Sequence, residues 1–196
     1  MLESYLKPVL SKHRGLALGV WGEAGIGKSY TLARVLKNLP CRHLSLHATT
    51  TLPALGSVLS KPKKLPFWAE TTLEKIKRGE AVNSSDFISA LSQSLSGLAP
   101  FVLHLEDAHE ATTERLGLLN DLAQSVQKLK GVGLLVTSRQ EFGQPFRPIK
   151  LEPLSKEASD KLLETELNAT LPKEALEFIY SKAAGNPLFT LEYLRF

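Results

Sequence analysis

Cysteine is nearly absent from the 196-residue chain: Cys41 stands alone, so no internal disulfide can form. That fits a reducing cytoplasm and leaves Cys41 to serve as a small, inert apolar residue. No apolar run is long enough to span a bilayer; the longest are strand-sized, so no membrane partner is expected. The opening Met1-Leu-Glu-Ser-Tyr-Leu-Lys-Pro lacks the charged-then-apolar build of a secretion signal. Internal repeats and low-complexity tracts are missing too, which excludes solenoids and fibrous classes. No His/Cys cluster has metal-ligand spacing, and no nucleophile–base pair is recognisable in the sequence.

What remains is ordinary globular material, with 43% hydrophobic and 22% charged residues. The formal net charge of +4 is too small to argue for nucleic acid. The densest basic stretch, Lys61-Pro-Lys-Lys64 followed by Lys75, Lys77 and Arg78, reads as a solvated loop and helix face.

Leu2, Tyr5, Leu6, Val9 and Leu10 recur at helical spacing and predict a short opening helix. Five apolar runs predict strands: Leu16–Trp21, Arg42–Leu46, Phe101–Leu105, Gly133–Thr137 and Ile149–Leu151. Helices are predicted over Ser29–Leu39, Phe67–Arg78, Ser85–Leu95 and Glu114–Lys130. Residues 48–66, with Pro53, Gly56, Pro62 and Pro66, read as loop. Strands alternating with helices mean an α/β domain with a parallel sheet covered on both faces. After Pro153 the pattern is wholly helical: Lys156–Leu167, Lys173–Ala184, then Leu188 onward. This divides the chain into a nucleotide-binding domain, 1–153, and the start of a helical lid, 154–196. Because the chain stops inside a predicted helix, it is expected to be part of a longer protein.

Gly22-Glu-Ala-Gly-Ile-Gly-Lys-Ser29 matches the phosphate-loop pattern G-x-x-x-x-G-K-[ST] in full, between a predicted strand and a predicted helix. The glycines let main-chain N–H groups curl around phosphate oxygens. The helix that follows points its positive end at them. Lys28 supplies charge to the β- and γ-phosphates, and the Ser29 hydroxyl is a ligand for Mg²⁺. The nucleotide-binding set is therefore Gly22, Glu23, Ala24, Gly25, Ile26, Gly27, Lys28 and Ser29, with Tyr30 next in line, and the cofactors are ATP/ADP and Mg²⁺.

Phe101-Val-Leu-His-Leu-Glu-Asp107 carries two acids to the end of a strand, where ligands sit in open α/β sheets. By position Glu106 suits the metal and Asp107 the attacking water. The division is open, since neighbours on a strand face opposite sides and only the turn beyond could aim both inward. Leu134-Leu-Val-Thr-Ser-Arg139 ends a further strand with a cation. Arg139 either stabilises phosphate charge or is an ordinary polar strand exit. His104 reads as a satisfied core histidine, and His109 follows the acids closely enough to face the nucleotide site, the alternative being a loop histidine. Gly185-Asn-Pro187 reads as a helix stop.

Taken in order, Gly-Glu-Ala-Gly-Ile-Gly-Lys-Ser, Leu-Glu-Asp-Ala-His, Leu-Leu-Val-Thr-Ser-Arg, Leu-Glu-Pro-Leu-Ser and Gly-Asn-Pro-Leu-Phe resemble the ATPase domain of STAND proteins. These are signal-transduction ATPases related to the AAA+ class. The version in large ATP-dependent LuxR-type bacterial transcription activators is especially similar. The resemblance runs from about residue 15 to the end. It implies a P-loop NTPase sheet ordered 5-1-4-3-2 with a helical lid. It implies that Arg139 reads the γ-phosphate and that Pro187 packs on the adenine. It also implies a switch, in which ADP holds a closed monomer and ATP with an inducer opens it to self-assemble. The family's Trp and acid after the histidine are replaced here by Glu110 and Thr112, and Met1–Arg14 lacks the family's Gly-Arg segment. Hydrolysis is expected to be slow. The competing readings are an AAA+ ATPase acting on DNA, a nucleotide-binding module without turnover, and a small-molecule kinase.

Overall fold

The computed structural model describes residues 4–6, 9, 11, 14–59 and 65–195. Its centre is a five-stranded sheet of β1 (Leu16–Trp21), β2 (Arg42–His47), β3 (Phe101–Glu106), β4 (Val132–Ser138) and β5 (Arg147–Lys150). The spatial order is β2-β3-β4-β1-β5 and every neighbouring pair is parallel, which is the expected 5-1-4-3-2 order. Burial explains it. β4 is buried along its whole length and β1 along its four central residues, so these continuous apolar runs take the middle. β2 and β5, with exposed polar positions, take the edges.

Helices cover both faces. α1 (Lys28–Asn38) buries Leu32 and Leu36 against Leu18, Val20, Val102 and Leu135, in a core that also takes Leu6 and Val9 of the opening segment. Leu2 and Leu10 of the predicted opening helix lie outside the described residues. The opposite face is covered by α3 (Phe67–Lys77), α4 (Ser84–Leu98) and α5 (Thr113–Lys128), which bury Leu73, Leu91 and Leu122 over Leu103 and Leu134. Cys41 is half-buried against the α1 core, and burial pushes its thiol above the ordinary value.

One expectation fails here. Residues 48–66 are not all loop: α2 spans Leu52–Leu59. Pro53 lies in its first turn, where no intrahelical N–H bond is needed, so proline does not forbid the helix. The segment 60–64, which holds Lys61, Lys63 and Lys64 of the basic stretch, lies outside the described residues. β5 begins at Arg147 rather than Ile149, because an edge strand tolerates Pro148. The Leu151 N–H still donates to Trp21 O at 2.8 Å, extending the ladder.

Beyond the sheet come α6 (Lys156–Leu167), α7 (Lys173–Ala183), α8 (Pro187–Glu192) and a short 3₁₀ turn at Tyr193–Arg195. Leu163, Leu176 and Ile179 form a small core of their own. Ser155 and Asn186 cap α6 and α8 with side-chain oxygens that accept main-chain N–H groups. No described helix is long and apolar enough to cross a membrane.

Candidate nucleotide site

Registers bring three strand ends to one edge. Trp21 lies beside Ser138, and Leu105 beside Val136, so the turns after β1, β3 and β4 open together. The loop Gly22–Gly27 leaves β1 with its first N–H donated to Ser138 O at 3.3 Å. Gly25 (φ 78°) and Gly27 (φ 89°) sit in the left-handed region that favours glycine, and Gly27 directly precedes α1.

Lys28 follows, with only 8% of its surface exposed. Its ammonium donates to Gly22 O at 2.9 Å and Glu23 O at 2.8 Å. Desolvation lowers its pKa, opposed by the negative charge of Asp107 and aided by the positive charge of Arg139. The fold thus places Lys28, Asp107 and Arg139 within one electrostatic field. Arg139 itself is exposed, one residue past the end of β4. Ser29 is exposed at the start of α1, and Tyr30 is 71% exposed beside it. In the loop Ile26 is buried, while Glu23 and Ala24 are exposed.

The two acids leave the strand in different ways. Glu106 ends β3 on the same face as Val102, which packs with Leu32 and Leu36 of α1; this is the face of the phosphate-loop helix. Asp107 adopts φ 52° and ψ 47°, a left-handed turn that re-aims the next carboxylate. Its N–H donates to the buried Thr137 Oγ1 at 3.0 Å, so β4 fixes the turn. Asp107 then opens a 3₁₀ turn, Ala108–Glu110, pinned by the fully buried Ala108.

The histidines separate. His104 is 1% exposed, with Nδ1 3.1 Å from Ser45 Oγ, and burial lowers its pKa to about 4. It is a core histidine, as expected, but it is satisfied only at Nδ1: the buried Nε2 has no hydrogen-bond partner among the described residues, and the 3.6 Å approach of Nδ1 to Glu106 is a contact of a neutral ring. His109 faces the acids: Nδ1 is 3.8 Å from Asp107 Oδ1, and Nε2 is 4.0 Å from Glu110 Oε1. His47, at the end of β2, was not singled out by the sequence; its Nε2 lies 3.8 Å from Asp107 Oδ2 and 3.6 Å from Glu110 Oε2.

The lid reaches the loop directly. Asn186, buried, donates from Nδ2 to Ala24 O at 2.9 Å while its Oδ1 caps α8. The Leu188 N–H points to Gly25 O at 3.2 Å. A Cβ on Gly25 would meet Leu188 Cβ at 2.7 Å and Asn186 Oδ1 at 2.8 Å. The helix-stop reading of Gly185-Asn-Pro187 holds, since Gly185 has φ 76°, but it misses this second task of Asn186. An asparagine just before a proline-led helix was the available signal. Pro187 is half-buried between the two lid residues that bond the loop.

A profile of the AAA ATPase domain matches residues 1–136, about two thirds of the chain. The chain belongs to the AAA ATPase domain family. No curated protein sequence matches it. Among solved structures, it is similar to a STAND protein with a tetratricopeptide repeat sensor from Pyrococcus horikoshii (TM-score 0.65, 18% identity, covering 92% of this chain and 28% of that one). It is similar to the Aeropyrum pernix ORC1 protein in complex with DNA (TM-score 0.64, 16% identity, 99% and 56% covered). A Thermotoga maritima RuvB mutant also shares the fold (TM-score 0.62, 10% identity, 97% and 58% covered). The chain thus spans well under two thirds of each of these proteins. The AAA family implies use of nucleotide, usually with Mg²⁺. The residues here fit that ligand: a loop with Gly25 and Gly27 in left-handed conformations, and a largely buried ammonium whose hydrogen bonds go to two main-chain carbonyls.

The buried His104 sets a pH dependence. Its folded pKa, about 4, lies below the ordinary 6.5, so the unfolded chain takes up the proton first. Its contribution to stability is full above pH 6.5 and is lost as pH falls from 6.5 toward 4. The loss is at most about 1.4 kcal/mol per pH unit. Urea unfolding midpoints across that window should fall more steeply for the parent than for His104→Gln. Equal slopes would contradict the buried neutral ring.

Proposed function

We propose that the chain is a nucleotide-controlled switch module that binds ATP with Mg²⁺ at Gly22–Ser29 and hydrolyses it slowly. The observation that carries this reading is the pair of lid-to-loop hydrogen bonds from Asn186 and Leu188 to Ala24 and Gly25. Residues 154–196 are, in this reading, a lid on the nucleotide-binding domain 1–153. A loop that changes shape around phosphate shifts the carbonyls that hold the lid. Nucleotide state then becomes a change in lid position, and through it a change in assembly with other copies or further domains.

The roles follow from placement. Main-chain N–H groups of the loop and the start of α1 receive the phosphates, and Lys28 turns from its two carbonyls to the β- and γ-oxygens. Ser29 and Glu106, on the α1 side of the sheet, hold Mg²⁺, which neutralises phosphate charge. Asp107 orients water and accepts its proton. Arg139 meets the γ-phosphate from the end of β4. Tyr30 and Pro187 flank the base and sugar, and the location is cytoplasmic.

The ORC1 relative, solved in complex with DNA, raises the alternative of an ATPase acting on DNA. It would need a free basic face. In the described part of the basic stretch, Lys77 lies 3.4 Å from Glu74 and Arg78 3.9 Å from Glu80. These local pairs support the solvated-face reading.

Lys28→Ala is expected to lower Mg-ATP affinity by tens- to thousands-fold, since it removes a charge-assisted contact worth about 2–5 kcal/mol. Titration calorimetry measures it, and unchanged affinity would sink the phosphate-loop assignment.

The isolated chain should turn over well below the roughly 1–10³ s⁻¹ of ordinary enzymes. Asp107→Asn should keep Mg-ATP binding and slow turnover further, by about 10²–10⁴-fold for loss of a general base. A phosphate-release assay decides: several turnovers per second defeat the switch reading, parental turnover in Asp107→Asn removes that residue from the chemistry, and ATP binding with no release at all leaves a module without turnover.

A further inference from the structure

We infer that His47, Asp107 and Glu110 form a binding site for a zinc-class divalent cation, separate from the Mg²⁺ position assigned above to Ser29 and Glu106. The three residues come from the end of β2 and from the turn after β3, far apart in sequence and adjacent only because these strands pair in register, His47 beside Glu106. One ligand atom from each lies within 4.8 Å of the other two.

The geometry is close to what a small cation requires. Nε2 of His47 stands 3.8 Å from Asp107 Oδ2 and 3.6 Å from Glu110 Oε2. Tetrahedral zinc holds nitrogen and carboxylate oxygen at about 2.0–2.2 Å, which sets ligand atoms about 3.3 Å apart. The two distances from His47 exceed that by a few tenths of an ångström, and the two carboxylates, within 4.8 Å of each other, must draw together around the ion. All three side chains are between 38% and 48% exposed, so a cation has an entry path and a solvent position for its fourth ligand.

The surroundings supply the second layer that such sites use. Nδ1 of His47 lies 2.7 Å from Thr49 Oγ1. Nδ1 also lies 3.4 Å from the Thr49 main-chain nitrogen, whose N–H can donate to it. Metal binding at Nε2 requires the other tautomer, in which Nδ1–H donates to the Thr49 hydroxyl and the Nε2 lone pair is free. The other carboxylate oxygens face His109, at 3.8 Å from Asp107 Oδ1 and 4.0 Å from Glu110 Oε1. Both His109 ring nitrogens are buried, and neither has a hydrogen-bond partner among the described residues. A ring N–H turned to either carboxylate would fix that carboxylate's free oxygen while its other oxygen binds the ion. The left-handed turn at Asp107, tied to Thr137, holds the first carboxylate in place, and the 3₁₀ turn delivers the second three residues later.

Ligand type selects the ion. One imidazole with two carboxylates suits Zn²⁺ or Co²⁺; Mg²⁺ prefers an all-oxygen shell and keeps its waters. A cation here engages the carboxylate that the proposed function assigns to the attacking water. That consequence, inhibition of hydrolysis by Zn²⁺, rests on the proposed role of Asp107. The existence of the site does not.

The test is a Co²⁺ titration of the purified chain without nucleotide, with Mg²⁺ in excess, followed by visible d–d absorption. One equivalent should bind and be displaced by Zn²⁺. His47→Ala and Glu110→Ala should each weaken it at least about tenfold, while His43→Ala, at an exposed histidine of the same strand, should not. Circular dichroism checks that each variant is folded. The site is overturned if no saturable spectrum appears, or if both His47→Ala and Glu110→Ala bind as tightly as the parent. Phosphate release with and without Zn²⁺ is then compared on the same samples. Zn²⁺ inhibition that disappears in His47→Ala supports both the site and the role of Asp107. Tight Co²⁺ binding without Zn²⁺ inhibition supports the site and removes Asp107 from the hydrolytic reading.

Discussion

The Lys28 ammonium sits at the carboxyl edge of the sheet, largely shielded from water, with two main-chain carbonyls as its hydrogen-bond acceptors. Keeping a charge there costs desolvation, and its lowered pKa records that cost. Much of the architecture bears on it. β1 must end at Trp21 so that the loop can begin, and β4 must end beside it so that Ser138 can accept the Gly22 N–H. Asp107 supplies the opposing negative charge from β3, and Arg139 a further positive one from β4. Two cations, Lys28 at the start of a helix and Arg139 in its electrostatic field, are suited to polyanionic phosphate.

The same loop is the meeting point of the two halves. Its inner side carries Lys28, and its tip, Ala24 and Gly25, offers carbonyls to Asn186 and Leu188. Gly25 has no room for a side chain on the lid side, so lid and loop fit at main-chain distance. A phosphate-dependent shift of the loop would therefore reach the lid through the Leu188 main chain and the buried Asn186 side chain.

The fold was legible because its signals are strong where burial is strongest. Val-Gly-Leu-Leu-Val in β4 and Leu-Ala-Leu-Gly-Val in β1 are unbroken apolar runs, and unbroken runs belong in the middle of a parallel sheet. The phosphate loop was legible because its chemistry is local to one strand–turn–helix unit. Helix α2 was hidden by Pro53, whose meaning depends on whether it falls in the first turn or later. The aim of Asp107 was hidden for a similar reason: a left-handed turn at a non-glycine residue leaves no mark in composition and depends here on Thr137, on another strand. His47 and Asn186 were missed because their partners lie far along the chain, and periodicity carries no information about which loop a cap or strand end will meet.

The central claim is that the loop and Lys28 exist to receive the phosphates of ATP, and a crystal structure of the chain with Mg²⁺ and a non-hydrolysable ATP analogue tests it most directly. The phosphates should lie inside the Gly22–Ser29 loop, with Lys28 Nζ moved from the Gly22 and Glu23 carbonyls onto phosphate oxygens. A nucleotide bound elsewhere, or Lys28 still on those carbonyls with the loop occupied, would contradict it.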